Sequence, residues 1–281
     1  MTKLDTRLHA YRPDLADSRL RDRISAKRFV EGRKMQVTNP LVSVHKAPRF
    51  DATQTSQALM GETLWVFEIG EGWAFVQLER DSYVGYVSAS ALSSRVTTPT
   101  HRIAVPATFC YPAPDIKSQP VTAVTMNARV SVTGGDEKFA RIADGHFIHR
   151  RHLKLVDEPE HDFVAVAEMF LNAPYFWGGK SVHGLDCSGL LQLSLEACGA
   201  HCPRDTDMQE ENLGRILLVN DLDGLKRGDL VFWTGHAGIM TDENTLLHAN
   251  GYHMVTLTEP LRETVDRIAA SGNKVTSIKR F

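Results

Sequence analysis

One cysteine and two histidines are the residues of this sequence whose types and spacing could do chemistry. Cys187 stands in Leu185-Asp186-Cys187-Ser188-Gly189-Leu190, shortly after Tyr175-Phe176-Trp177-Gly178-Gly179. The apolar spacing from Asp186 to Ala197 predicts a helix, with Asp186 at or beside its N-cap and Gly199 just past its end. Cys187 then falls in the first turn. Unpaired N–H groups and the helix dipole favour an anion there, so the thiol is expected to shift toward thiolate, the nucleophilic form. For a cysteine taken alone, a small buried side chain at a helix start is the simpler account.

The histidines change that balance. His236 opens the stretch His236-Ala237-Gly238-Ile239-Met240, and His248 lies in the returning stretch Thr245–Ala249. A turn over Asp242-Glu243-Asn244 centres an antiparallel pair on Glu243. His236 then faces Asn250, Gly238 faces His248, and Gly238 leaves open space above the second imidazole. The two rings become diagonal neighbours on one face. One can take the thiol proton while the other fixes its tautomer. A one-residue slip would place them on opposite faces.

The elements that hold these groups fall into segments. Residues 1–35 are polar and arginine-rich, broken at Tyr11-Arg12-Pro13, and read as an N-terminal arm or packing segment with a short helix after Asp17 or Ser18. From residue 36 short alternating runs predict strands at Thr63–Ile69, Trp73–Leu78 and Tyr83–Ser88, with a turn at Gly70-Glu71-Gly72. The pattern returns at Arg129–Thr133, a turn at Gly134-Gly135-Asp136, Phe139–Ala143 and His146–His149. Trp73–Val76 aligns with Phe139–Ile142, Tyr83–Val87 with Gly145–His149, and Leu92 with Leu153. This reads as a duplicated β unit covering 36–95 and 96–157, each the size of a small SH3-like barrel. A single elongated β-sandwich is the alternative. After a linker at Val156–Glu160, residues 158–281 show helices at Phe163–Leu171 and Asp186–Ala197. Strands follow at Leu230–Trp233, Ala237–Thr241 and Thr245–Ala249, which indicates an α+β domain.

A cysteine at a helix start facing a histidine on a sheet is also the papain-like arrangement. Over residues 160–281 the chain resembles the NlpC/p60 cell-wall endopeptidases. The resemblance is carried, in order, by Trp177-Gly178-Gly179, Asp186-Cys187-Ser188-Gly189-Leu190, Pro203-Arg204-Asp205-Thr206, Gly228-Asp229-Leu230-Val231-Phe232, His236-Ala237-Gly238-Ile239 and His248-Ala249. It implies Cys187 as nucleophile, His236 as general base and His248 as the polar third member. It also implies hydrolysis of the γ-D-glutamyl to diamino-acid bond of murein peptides. Two SH3-like units ahead of such a domain are similar to the γ-D-glutamyl-L-diamino-acid endopeptidases of murein-peptide recycling, which implies a multidomain chain of two all-β barrels and a papain-like peptidase domain. The resemblance further implies that Glu62 and Tyr83 bind the free amine of an N-terminal L-Ala, and that Trp177, Asp186, Ser188, Asp205 and Thr206 line the groove. Glu62 also fits a solvated carboxylate after a turn, and Tyr83 a barrel-core aromatic. The longer connection Glu79–Ser82, absent from the second copy, suggests a projecting feature beside Tyr83.

Other classes fit less well. The net charge of −2 and the scatter of Lys and Arg argue against nucleic acid as partner. No run of 18 apolar residues predicts a membrane span. The charged N-terminus lacks an apolar signal core, so a cytoplasmic location with reduced cysteines is the expectation. Of the four cysteines, Cys110 reads as barrel packing. Cys198 and Cys202 with His201 read as helix-end filler rather than half a zinc site. His183 and His253 read as surface or groove-edge residues. No metal or organic cofactor is expected, and a murein tripeptide or tetrapeptide is the expected partner. Two competing readings stay open: a non-catalytic module that binds wall peptides, and an acyltransferase using the same three residues.

Overall fold

The computed structural model describes residues 4–218 and 222–281. The chain divides into two compact units, one ending at Val156 and the other starting at Asp157.

The first unit is built from strands. Seven of them form one sheet in the order Gln54–Leu59, Leu41–His45, Val84–Ser88, Trp73–Leu78, Thr63–Gly70, Arg33–Val37 and Leu92–Ser93. Val44, Leu64, Val76 and Leu78 lie in its apolar core. Trp73–Leu78 does not alternate between buried and exposed: every residue but Gln77 is buried. Its second face is covered by the N-terminal segment, where Ala10 and Leu15 pack with Phe67 and Phe75. The arm read from the sequence is therefore part of the fold. It also lends backbone, with Val84 N–H donating to Arg7 O at 2.7 Å and the Gln77 amide to Leu8 O at 2.7 Å.

A second set of strands in the same unit forms three small sheets around Ile103, Val124, Ile142 and Ile148. Cys110 is fully buried in that core, and burial pushes its thiol up to about 12. The repeat is visible in the backbone. Ser88 and His149 share nearly the same dihedrals, φ −60° and −62° with ψ 125° in both. Each opens a one-turn helix, Ala89–Ala91 or Arg150–His152, which leads into the strand beginning at Leu92 or Leu153. The register corrects the alignment drawn from the sequence by one residue. Phe75 pairs with Tyr86 and Arg141 with Phe147, so Tyr86 corresponds to Phe147 and Ser88 to His149. A one-residue offset reverses the faces, and the longer loop of the first copy hides the true match. Gly134 and Gly135 also lie inside the strand Val132–Gly135, at a bulge, and not in the turn that follows.

Among its described residues the second unit packs four helices with a six-stranded sheet. The helices are α1 (Phe163–Glu168), α2 (Cys187–Ala197), α3 (Thr206–Asn212) and α4 (Leu261–Ala270). The main strands run Val275–Arg280, Asp229–Trp233, His236–Met240, Thr245–Asn250 and Val255–Pro260, with Arg215–Ile216 at one edge. α1 ends three residues before the expected Leu171, with Met169 as its C-cap. All eleven residues of α2 are buried, so it is a central helix and not an amphipathic one. Two of its polar residues are tied to backbone carbonyls. Ser194 donates to Leu190 O at 2.7 Å, and Gln192 to Cys202 O at 3.0 Å. Gly199 takes φ +77° just beyond the C-cap Cys198, as a helix stop requires.

Candidate active site

The start of α2 is set by one buried carboxylate. Asp186 Oδ1 accepts the N–H of Gly189 at 2.7 Å, which caps the helix. Its Oδ2 accepts the N–H of Gly178 at 2.8 Å, which ties the preceding loop to the cap. Arg204, only 1% exposed, donates to both oxygens at 2.9 and 2.7 Å and to Ser188 Oγ at 2.7 Å. Two buried charges are tolerable here because each is matched by a fork of hydrogen bonds. Gly189 is required: a Cβ there would lie 2.1 Å from Gly179 O.

Cys187 is the first residue of this helix and is 7% exposed. Its Sγ faces the backbone that flanks His236, with Gly235 O at 4.0 Å and the Ala237 N–H among its donors. No hydrogen bond joins Sγ to the His236 ring. Burial pushes the thiol up to about 12, helped by the Asp186 charge, while the N–H groups of Ala237 and Ser188 and the charge of Arg204 pull less strongly downward. Desolvation thus opposes the thiolate that the helix start favours. Alkylation of Cys187 by iodoacetamide should consequently climb about tenfold per pH unit from pH 7 to 10, because only the thiolate reacts. Peptide-resolved mass spectrometry reads this rate, and a plateau already reached below pH 6 would show a preformed thiolate–imidazolium pair instead.

The two histidines meet as their spacing suggests. Ile239 pairs with Leu247 and Met240 with Leu246, a register centred on Glu243. His236 Nε2 lies 2.8 Å from His248 Nδ1. This uses one nitrogen of His236 and leaves its Nδ1 outside the pair. Burial first, then the neighbouring His248 and the Arg267 charge, hold His236 down at about 3, against the pull of Glu259. His248 is 1% exposed and also lowered, first by burial, against the pull of Glu259. Both rings are thus neutral at pH 7. The open space expected above His248 is absent, since a Cβ on Gly238 would meet the Leu246 side chain at 2.7 Å. Leu246 shares a face with His248, two residues on, and fills the gap.

The other predicted residues are placed as follows. Ser188 is buried, with Oγ between Asp186 and Arg204. Trp177 is 61% exposed. Asp205 and Thr206 open α3 and are half-buried. Glu62, 4% exposed, is not a solvated carboxylate: it accepts Leu59 N–H at 3.0 Å and pairs with Arg80 at 3.3 Å. Tyr83 lies in the apolar core of the first sheet, which fits the packing reading of that residue, and Asp81 in the connection before it is also buried. His183 is exposed, and His253 Nε2 donates to Glu259 Oε1 at 3.1 Å. Among the described residues no group of three His, Cys, Asp or Glu is arranged to hold a metal ion.

Three functional neighbours were not singled out from the sequence. Arg204 was quoted within a motif but given no role. Asn250 and Glu259 both touch His248, with Nδ2 and Oε2 at 2.8 and 2.7 Å from its Nε2. The strand Val255–Pro260 carried the missing signal. Had it been read as pairing with Thr245–Asn250, Glu259 would have fallen diagonally beside His248.

The chain is similar to known proteins over both units. Residues 44–92 match the bacterial dipeptidyl-peptidase Sh3 domain, and residues 172–269 match the NlpC/P60 family. The gamma-D-glutamyl-L-lysine dipeptidyl-peptidase of Bacillus subtilis is 26% identical over 235 residues, covering 74% of this chain and 77% of that one. The "Probable endopeptidase NlpC homolog" of Haemophilus influenzae is 30% identical over 162 residues, covering 55% and 84%. The crystal structure of an NlpC/P60 family protein from Bacillus cereus superposes with a TM-score of 0.74 at 19% identity, covering 88% of this chain and 99% of that chain.

Proposed function

Because the chain belongs to the NlpC/P60 family, we propose that it is a thiol peptidase that hydrolyses the γ-D-glutamyl to diamino-acid amide bond of murein peptides and releases L-Ala-D-Glu. The observation that carries this reading is the linked imidazole pair, His236 to His248 at 2.8 Å, on the strands beside the Cys187 helix start. The names of the relatives supply the bond class: the Bacillus subtilis protein is named for a γ-D-glutamyl-L-lysine linkage.

The chemistry follows from neutral partners. The Cys187 Sγ–H proton passes to His236 Nδ1 as sulfur attacks the γ-glutamyl carbonyl, forming the S–C bond. The carbonyl oxygen gains charge at the N-terminus of α2, where the Cys187 N–H has no partner within the helix. His236 then gives its proton to the departing amine, and the C–N bond breaks. Water, deprotonated by the same nitrogen, releases the acyl group and restores the thiol. Asp186 and Ser188 act by fixing the helix start together with Arg204, and exposed Trp177 offers a flat apolar wall to substrate.

The finer parts of this reading rest on the resemblance. They are a papain-like peptidase behind two SH3-like units, a murein tripeptide or tetrapeptide as substrate, a role in recycling inside the cell, and recognition of a free N-terminal amine by Glu62 and Tyr83. Digestion of L-Ala-γ-D-Glu-diaminopimelate beside its N-acetylated copy, followed by mass spectrometry, tests them. L-Ala-D-Glu is expected from the free peptide only. Equal cleavage of both copies removes amine recognition, and no cleavage of either removes the substrate.

A further inference from the structure

Glu259 lies outside the set Cys187, His236 and His248. On the strand Val255–Pro260 it pairs with Leu246, while Leu257 pairs with His248. Its carboxylate therefore sits diagonally beside His248 on one face of the sheet. Oε2 is 2.7 Å from His248 Nε2 and 2.6 Å from Arg267 Nη2, and Oε1 is 3.1 Å from His253 Nε2. Arg267, on α4, is itself stacked 4.5 Å over the Tyr252 ring.

We propose that Glu259 is a positioning residue that sets the tautomers of both histidines, so that His236 presents a lone pair, and not a proton, to Cys187. The inference rests on the thiol-peptidase reading above. An ionised carboxylate only accepts hydrogen bonds, and the Arg267 guanidinium holds this one ionised. A ring nitrogen 2.7 Å from it must bring the proton, so His248 carries N–H at Nε2. Its Nδ1 is then a lone pair and accepts from His236 Nε2–H across 2.8 Å. With that proton on Nε2, His236 Nδ1 is the free base. Each step follows from the one before, and the direction is decided at the carboxylate.

Asn250 is the competing influence. Its Oδ1 accepts the N–H of His253 at 2.8 Å, which turns Nδ2 toward His248 Nε2 at 2.8 Å and Glu259 Oε2 at 3.4 Å. Donation from Asn250 to Nε2 would place a lone pair against the carboxylate. It would also reverse both ring protons and put N–H on His236 Nδ1, where it could not take a proton from sulfur. The charge-assisted bond is the stronger of the two, so Asn250 donates onward to Glu259.

The test uses the full chain labelled with 15N-histidine at neutral pH. Long-range 1H–15N spectra are expected to show both His248 and His236 protonated at Nε2. Glu259→Gln is expected to scramble these tautomers and to lower kcat on the murein tripeptide about 10- to 100-fold, by analogy with the loss of a carboxylate behind a metal-bound histidine, with KM changed less than about twofold. A wild-type His248 protonated at Nδ1 overturns the proposal. So does a Glu259→Gln variant whose tautomers stay as in the wild type, whatever its kcat. Should that variant not fold, the wild-type tautomers decide alone. Tautomers as expected in a wild type that cleaves no murein peptide would uphold the proposal and remove the substrate reading instead.

Discussion

Replacing Cys187 by alanine is expected to lower kcat/KM on the γ-glutamyl tripeptide by about 10⁴-fold or more, with the fold intact. Covalent catalysis has no partial substitute when its nucleophile is removed. The imidazole pair then lacks a proton to take, and the remaining donors only bind. Little stability is lost, because the sulfur makes only weak contacts to the backbone of Gly235, Ala237 and Ser188 and alanine is a good helix former. Steady-state hydrolysis together with circular dichroism and a thermal melt checks both halves of the expectation. The same variant separates the competing readings. A wall-peptide binding module would keep its affinity and lose nothing, whereas the peptidase keeps affinity and loses turnover. An acyltransferase would also lose turnover, but its wild type would yield an amide when an amine acceptor is added.

The second large effect is expected at Arg204. Truncation to alanine leaves Asp186 buried beside its former partner, with two N–H donors and no counter-charge. Removing one member of a buried ion pair typically costs about 3–5 kcal/mol, against a total of roughly 5–15 kcal/mol for a domain. The melting transition of the second unit should fall by about 10 °C or more. Arg204→Lys should recover only part of this, since an ammonium cannot span both carboxylate oxygens and Ser188 Oγ from one plane. Calorimetry on the full chain reads the shift. An unchanged melt would mean that Asp186 is held by the backbone donors alone. Activity should fall alongside stability, because the Asp186 cap sets where α2 starts and hence where Cys187 stands.

The pH behaviour links these results. Burial raises the Cys187 thiol and lowers the His236 imidazole, which favours neutral partners over an ion pair at pH 7 in the free protein. The proton must therefore move during attack, and the tautomer of His236 matters more than its charge. This gives Glu259 its importance: in a neutral relay the lone pair has to be on the correct nitrogen before substrate arrives.

Much of the site was legible in the sequence because its signals are local. The N-cap Asp186, the helix that follows, the stop at Gly199 and the hairpin about Glu243 each follow from a few adjacent residues. The hairpin register alone was enough to bring His236 and His248 together. Other features needed the folded chain. Trp73–Leu78 reads as a half-buried strand, and only the packing of Ala10 and Leu15 shows why its second face is apolar too. The repeat was visible but misaligned by one residue, because a loop of different length sits inside it. Arg204 carries no sequence signature of its own role, and Glu259 gains one only when Val255–Pro260 is paired with Thr245–Asn250. Each acts through a partner 18 or 11 positions away, and a charged residue looks the same in a sequence whether it is solvated or buried. Protonation was the largest difference. The helix start promised a thiolate, but the tertiary structure removes water from the sulfur, and desolvation is a property of the surrounding fold and not of the residues beside it. The sequence by itself determined which groups could react and which elements carry them. The tertiary structure alone decided their proton positions, through burial and the partners it brings from distant strands.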